Sequence, residues 1–172
     1  MFGRMNKSGF CAAALAMMCV SVQAEAAMGC WNDTQVAAAK VRDLQSRLMV
    51  ATLRCQAMGE DVTAAYNRFV AANRTTIQNA NGVILAAFRD GHGGEAQLHY
   101  DRFATALANL YGDDATDRGV CAETAAAAEE AVAAAGDIRQ LLTIAHRLGD
   151  TPSLPGGQCA ISFASAQVGV GL

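Results

Sequence analysis

The stretch AAAKVRDLQSRLMVATLRCQAMG, residues 37 to 59, places Ala37, Val41, Leu44, Leu48, Ala51, Cys55 and Met58 at alternating intervals of four and three. That spacing is one stripe of an α-helix, because 3.6 residues per turn brings such positions onto a single face. Asp33 or Asn32 offers a side-chain cap for its start, and Gly59 supplies a stop. One long helix with a cysteine near its end on the inward stripe is therefore the first element of the fold.

The same period recurs downstream. Asp61 opens a second helical segment that carries Val62, Tyr66, Phe69, Val70, Ile77, Ile84 and Phe88 on or near one face. Its middle is polar (Asn73, Thr76, Gln78, Asn79, Asn81), and Gly82 weakens it. The reading favoured here is an exposed face plus one or two hydrogen-bonded interior amides. Asp90-Gly91-His92-Gly93-Gly94 is a turn by composition. A third helix over about 95 to 111 turns Ala96, Tyr100, Phe103, Leu107 and Leu110 inward, and Gly112 ends it. A fourth, over about 120 to 148, presents Cys121, Ala125, Ala128, Val132, Ala135, Ile138, Leu142 and Ala145. Gly136 is a possible break within it, since Asp137 and Gln140 form a capping-box-like restart. Short connections join antiparallel neighbours, so the expected fold is all-α: an antiparallel up-down-up-down helical bundle over residues 27–159. Residues 160–172 (AISFASAQVGVGL) follow as an apolar tail with period-two spacing, flexible or strand-like, weakened as a strand by Gly169 and Gly171.

Upstream of the bundle, Arg4 and Lys7 precede an apolar and small-residue run from Cys11 to Val22, and Ala24-Glu25-Ala26 provides small residues for a cut. This order is that of a secretory signal peptide, and the run is too short for a stable membrane span. Cleavage is expected after Ala26, with Ala24 the competing position. Cys19 follows Met18, and Cys30 lies well past the run, which argues against lipidation. Removing the first 26 of 172 residues leaves 146, a size suited to one domain, and losing Arg4, Lys7 and Glu25 takes the formal charge from −3 to −4. No basic cluster remains that would hold nucleic acid, and no later run approaches membrane length. An exported protein of the periplasm or the extracellular space is expected.

Six cysteines become four on maturation: Cys30, Cys55, Cys121 and Cys159. In an exported chain an even count implies two disulfides, with three possible pairings. Cys30 and Cys55 flank the first helix and would lie about 35 Å apart at ~1.5 Å per residue, far beyond the ~7 Å limit between bridged Cα atoms. Cys121 and Cys159 flank the fourth helix and are disfavoured on the same ground, although the residues after Leu148 have the freedom to double back. In an up-down-up-down bundle Cys55 and Cys121 meet at one end, and Cys30 and Cys159 at the other. The third pairing, Cys30 with Cys121 and Cys55 with Cys159, joins opposite ends. The expected bridges are Cys55–Cys121 and Cys30–Cys159.

Signals for chemistry are weak. There is no Cys-x-x-Cys for redox exchange or haem attachment, and the cysteine spacings do not suit zinc. His92, Glu95 and His99, with Asp90 or Asp101, form a conceivable shallow metal site, for which a solvated face is the simpler reading. Glu129 and Glu130 are adjacent and point apart, and no nucleophile elbow or phosphate loop is present. Trp31, beside Cys30, is expected to pack over the lower bridge. No catalytic residue and no cofactor are assigned.

The segments Cys30-Trp31, VRDLQSRLMVATLRC (41–55), YDRFATALANLYG (100–112) and LPGGQC (154–159) resemble a group of small exported alphaproteobacterial proteins of unassigned function. The resemblance spans the chain up to Cys159 and implies export and a four-cysteine framework, with no activity or ligand. The expected role is a non-catalytic envelope or extracellular interaction or assembly subunit, engaging a protein partner or its own copies through the tail. The competing expectation is a periplasmic bundle that binds a small ligand or divalent metal, through the polar centre of the second helix or the His92–His99 region.

Overall fold

Helix α1 (Asp33–Ala57) is the axis of the structure, a computed structural model that describes residues 29–160. Its start is a full capping box: Gln35 N–H donates to Asn32 Oδ1 at 3.0 Å, and Asn32 N–H donates to Gln35 Oε1 at 2.9 Å. Its end is a Schellman motif about Gly59, whose φ of +85° suits glycine. Gly59 N–H reaches Gln56 O at 3.0 Å, and Glu60 N–H reaches Cys55 O at 2.9 Å. Five further α-helices follow among the described residues: α2 (Thr63–Ala72), α3 (Arg74–His92), α4 (Ala96–Leu110), α5 (Arg118–Ala133) and α6 (Ile138–Arg147). A 3₁₀ turn at Gly93–Glu95 joins α3 to α4.

Because α1 packs against all five other helices, its burial is not confined to one stripe. Val41, Leu44, Leu48 and Cys55 are buried as the period requires, but so are Ala38, Ala39, Asp43 and Ser46, while Met58 is exposed. Alanine does much of this work. Ala127, Ala128, Ala131 and Ala134 of the α5 segment and Ala38 and Ala39 of α1 are all buried. Small side chains let helix axes approach closely, at the cost of little apolar area per residue. The large buried side chains include Trp31, Leu44, Phe69, Ile84, Phe88, Leu141 and Ile144.

Two expected helices are each divided. The second breaks at Asn73, giving α2 and α3. The fourth breaks at Ala135-Gly136, where both residues take positive φ and Asp137 caps the restart by accepting from Arg139 N–H at 2.9 Å. α6 then folds back on α5, with Arg147 bonded to Glu130. Ile138 shares a small groove with Thr34 and Ala38, and Leu148, ten residues on, meets Arg47, so α6 runs beside α1 in the same direction. The fourth segment thus takes the divided form that Gly136 and the Asp137–Gln140 restart allow, and the expectation that its whole length carries the chain back to the base is corrected. That return is made by the extended residues after α6. The inward face is corrected as well: Leu141 and Ile144 are buried, whereas Ile138 and Ala135 are exposed, because the turn resets the helical phase.

Both disulfides fall on the pairs that helix length selects. Cys55 and Cys121 have Cα atoms 5.6 Å apart, Cys30 and Cys159 4.7 Å apart. Two such bonds, with no close dithiol, are those of a chain that folds in an oxidising, non-cytoplasmic compartment. Among the described residues no helix is long and apolar enough to cross a membrane. The expected signal peptide (1–26) lies outside the described residues, as does the expected tail apart from Ala160.

Candidate functional site

Two places gather polar chemistry. The first is the base, where the chain leaves the bundle. Trp31 N–H donates to Gly157 O at 2.8 Å and Cys159 N–H donates to Trp31 O at 2.9 Å, a short parallel pairing beside the Cys30–Cys159 bond. The Trp31 indole Nε1–H donates to Pro155 O at 2.7 Å. Its ring, 1% exposed, lies 5.7 Å from both Phe88 (edge-on) and Phe103 (stacked). Trp31, next to Cys30 in sequence, is thus buried against Phe88 and Phe103, and its indole N–H is satisfied, which a buried indole requires. The LPGGQC segment works through backbone geometry: Gly156 and Gly157 both take positive φ, Gly157 N–H closes back on Leu154 O at 2.9 Å, and the Pro155 and Gly157 carbonyls and the Cys159 amide meet Trp31.

The second is a buried acidic cluster. Asp43 of α1 and Asp150, just past α6, are both essentially inaccessible. Tyr111, at the end of α4, donates its phenolic O–H to Asp43 Oδ1 at 2.8 Å. Arg47 donates to Asp150 Oδ1 at 3.1 Å and to the Leu148 carbonyl, and its guanidinium lies 5.4 Å from the Tyr111 ring centroid. A second Schellman motif delivers Asp150. Gly149, with φ of +80°, donates to His146 O at 3.0 Å, and Asp150 N–H donates to Ala145 O at 2.9 Å. Burial pushes the Asp43 carboxyl up to about 6, against the opposing pull of Tyr111 and Arg47. Burial and the charge of Asp43 push Asp150 up to about 6 as well. Burial, with Asp150 and Asp43 nearby, drives the Tyr111 phenol far upward, so it stays protonated and acts as a donor.

Arg47 and Tyr111 also form part of the wall of a cleft of about 300 Å³, together with Arg54, Glu123, Thr124 and Leu148. Arg54 donates to Tyr111 O at 2.8 Å and to the Gly112 carbonyl. Two arginines seven residues apart on α1 therefore cap the C-terminal carbonyls of α6 and α4, the position where the helix dipole favours a cation.

Sequence reasoning did not single out Asp43, Arg47, Tyr111 or Asp150. Asp43 and Arg47 look like an ordinary exposed i, i+4 pair, and only the packing of α1 against five other helices buries Asp43 and half-covers Arg47. The Leu148-Gly149-Asp150 triplet was the one available signal, since a Gly just past a helix returns the following residue onto the last turn.

The polar centre of the second helical segment resolves into Asn73. Its Nδ2 donates to Phe69 O at 3.1 Å and Ala131 O at 2.7 Å, and its Oδ1 accepts from Gly136 N–H at 2.8 Å. This is an interior amide that ties the α2–α3 break to the α5–α6 turn. Gln78 and Asn79 are exposed. His92 and His99 are brought together, but their rings stack with centroids 3.5 Å apart and planes 4° apart. Ring-nitrogen lone pairs lie in the ring planes, so two parallel planes at that spacing do not converge on one ion about 2.1 Å from each. Among the described residues no group of three or more His, Cys, Asp or Glu is placed to hold a metal. Glu129 and Glu130 engage different partners, Arg68 and Arg147.

Compared with protein-family models, curated proteins and solved structures, the chain gives no significant match.

Proposed function

We propose that this is a non-catalytic exported protein, of the kind it resembles among small four-cysteine alphaproteobacterial proteins, serving as an interaction or assembly subunit in the periplasm or outside the cell. In this reading α1, α2–α3, α4 and α5 keep an up-down-up-down order, and the bundle is a rigid mount for the chain beyond Cys159. One observation carries it. The segment ending at Cys159 is held at once by the disulfide and a backbone bond to Trp31 at Cys159 and by the indole bond at Pro155, so whatever follows leaves from a fixed point. A covalent and hydrogen-bonded anchor lowers the ordering cost that a partner must overcome when it captures an apolar segment such as Ile161 to Leu172. Light scattering on the oxidised protein with and without residues 161–172 tests it. Self-association or partner binding that disappears on truncation, with unchanged helicity by circular dichroism, supports the role. Identical mass and identical partner binding for both forms overturns it.

The cleft beside Tyr111 favours a second reading, a small-ligand-binding bundle. Its volume is at the lower end of ligand pockets, and its wall mixes arginine, carboxylate and hydroxyl groups. Saturable binding abolished by Thr124→Trp, and indifferent to truncation of the tail, would favour it over the first.

A further inference from the structure

We infer that Asp43 and Asp150 form a proton-set latch that holds Tyr111, Arg47 and the segment after α6 in place, and that loosens the adjoining cleft when both acids ionise. The two buried carboxyl groups offer four oxygens. Tyr111 serves Asp43 Oδ1 and Arg47 serves Asp150 Oδ1, whereas Asp43 Oδ2 and Asp150 Oδ2 are both buried without a hydrogen-bond partner among the described residues. Two ionised carboxylates would face a single cation, leaving one uncompensated negative charge in the interior, which is costly in a medium that solvates charge poorly. Retaining one proton on the pair removes that charge.

The charged and titratable groups around the pair are Arg47 of α1 and Tyr111 at the end of α4, with the charge of Asp43 acting on Asp150. Arg54, Asp114 and Glu123 line the neighbouring cleft. Tyr111 remains protonated and has one proton to give, so it cannot compensate both acids. The raised carboxyl values agree with this count in direction. A carboxyl group whose folded pKa lies above its unfolded one binds more protons in the native state. Its stabilising effect is therefore complete at low pH and is lost as pH rises from about 4 through about 6. The side of the cluster that yields is the one nearest solvent. Arg47 is about a third exposed, and both it and Tyr111 are cleft walls, so ionisation draws water in there and releases the residues just after α6.

The test is thermal and urea unfolding of the oxidised protein between pH 4.5 and 7, beside Asp43→Asn and Asp150→Asn. A single carboxyl group shifted from 3.8 to about 6 raises the unfolding equilibrium constant ~25-fold across that interval. Each asparagine variant should remove most of the contribution of the residue it replaces. Hydrogen exchange, corrected for intrinsic rates, should rise with pH at the amides of Tyr111, Gly112, Asp150, Thr151, Ser153 and Leu154 before it rises in α1. Should a variant fail to fold, carboxyl ¹³C titration of the unaltered protein decides, with two aspartates titrating well above the ordinary range as the supporting result. Ordinary titration of both groups, or an unchanged pH slope in folded Asp43→Asn, overturns the latch.

Discussion

Asn73 Oδ1 accepts the Gly136 amide at 2.8 Å, so one side chain at the break between α2 and α3 holds the turn between α5 and α6. The same amide group donates to Phe69 O and Ala131 O. A break in one helix thereby supplies the partner that a break in another requires, and two local defects become one tertiary link.

Asn73→Ala should therefore cost more than an ordinary polar substitution. It removes three hydrogen bonds made by a buried side chain and leaves the buried Ala131 O and the partly covered Gly136 N–H short of a partner. The expected loss is about 2–4 kcal/mol, read from urea unfolding of the oxidised protein. Asn73→Asp should do little better, since it keeps the acceptor for Gly136 but loses both donors. A loss below about 1 kcal/mol for Asn73→Ala would mean that water replaces the side chain.

Gly136→Ala probes the same link from the other side. Gly136 has φ of +87°, and an added Cβ would lie 3.4 Å from Thr76 Oγ1. That contact is tolerable, so the backbone conformation sets the cost, about 1 kcal/mol. Helicity should be retained, with a lower urea midpoint and an unchanged m-value.

How much of this was legible in the sequence depends on what each residue's neighbours had to be. Cys55–Cys121 and Cys30–Cys159 follow from helix length and connection length, which are local quantities. Phe69, Ile77, Ile84 and Phe88 are large enough to mark a buried face by their period. The α5 stripe was misplaced by a residue because alanine recurs on every side of it, and period carries no information where size does not vary. The reversal at Gly136 left a capping signal in Asp137 and Gln140, but nothing local says whether a restarted helix continues onward or folds back. Asp43 and Asp150 were invisible for a different reason. Their burial depends on the several helices that surround α1, and no spacing rule on α1 alone encodes those neighbours.

Trp31 is the single tryptophan of the chain, so its fluorescence reports the base alone. Emission should be blue-shifted in the oxidised protein. Trp31→Ala should cost about 3–5 kcal/mol, by leaving a cavity against Phe88 and Phe103 and by orphaning Pro155 O. Trp31→Phe keeps part of the packing and loses the indole bond, so a smaller loss is expected. If Trp31→Phe matched Trp31→Ala, the Nε1–Pro155 bond would dominate over stacking.

The two disulfides should act alike in magnitude and differently in place. Their sequence separations are 129 and 66 residues, and loop-closure entropy grows only with the logarithm of length. Removing either pair should cost about 3–5 kcal/mol. Losing Cys30 and Cys159 should also red-shift Trp31 emission and speed exchange at residues 157–159. Losing Cys55 and Cys121 should leave Trp31 unchanged and loosen the far end of α1. Non-reducing peptide maps give the direct check, in which a peptide joining Cys30 to Cys55 would contradict the topology.

Tyr111→Phe separates the hydrogen bond of the acidic cluster from its packing. The phenol lowers the Asp43 carboxyl relative to what burial alone would impose, so its removal should raise that group further. The sign follows from linkage. A higher folded value extends the interval over which the native state holds an extra proton, and stability should go on falling to a higher pH than in the unaltered protein. The variant should come closest to the parent in stability near pH 5, where Asp43 is protonated in both, and diverge from it near pH 7.5. Packing loss alone would lower stability by the same amount at every pH, so parallel unfolding curves against pH would show that Tyr111 contributes only its ring.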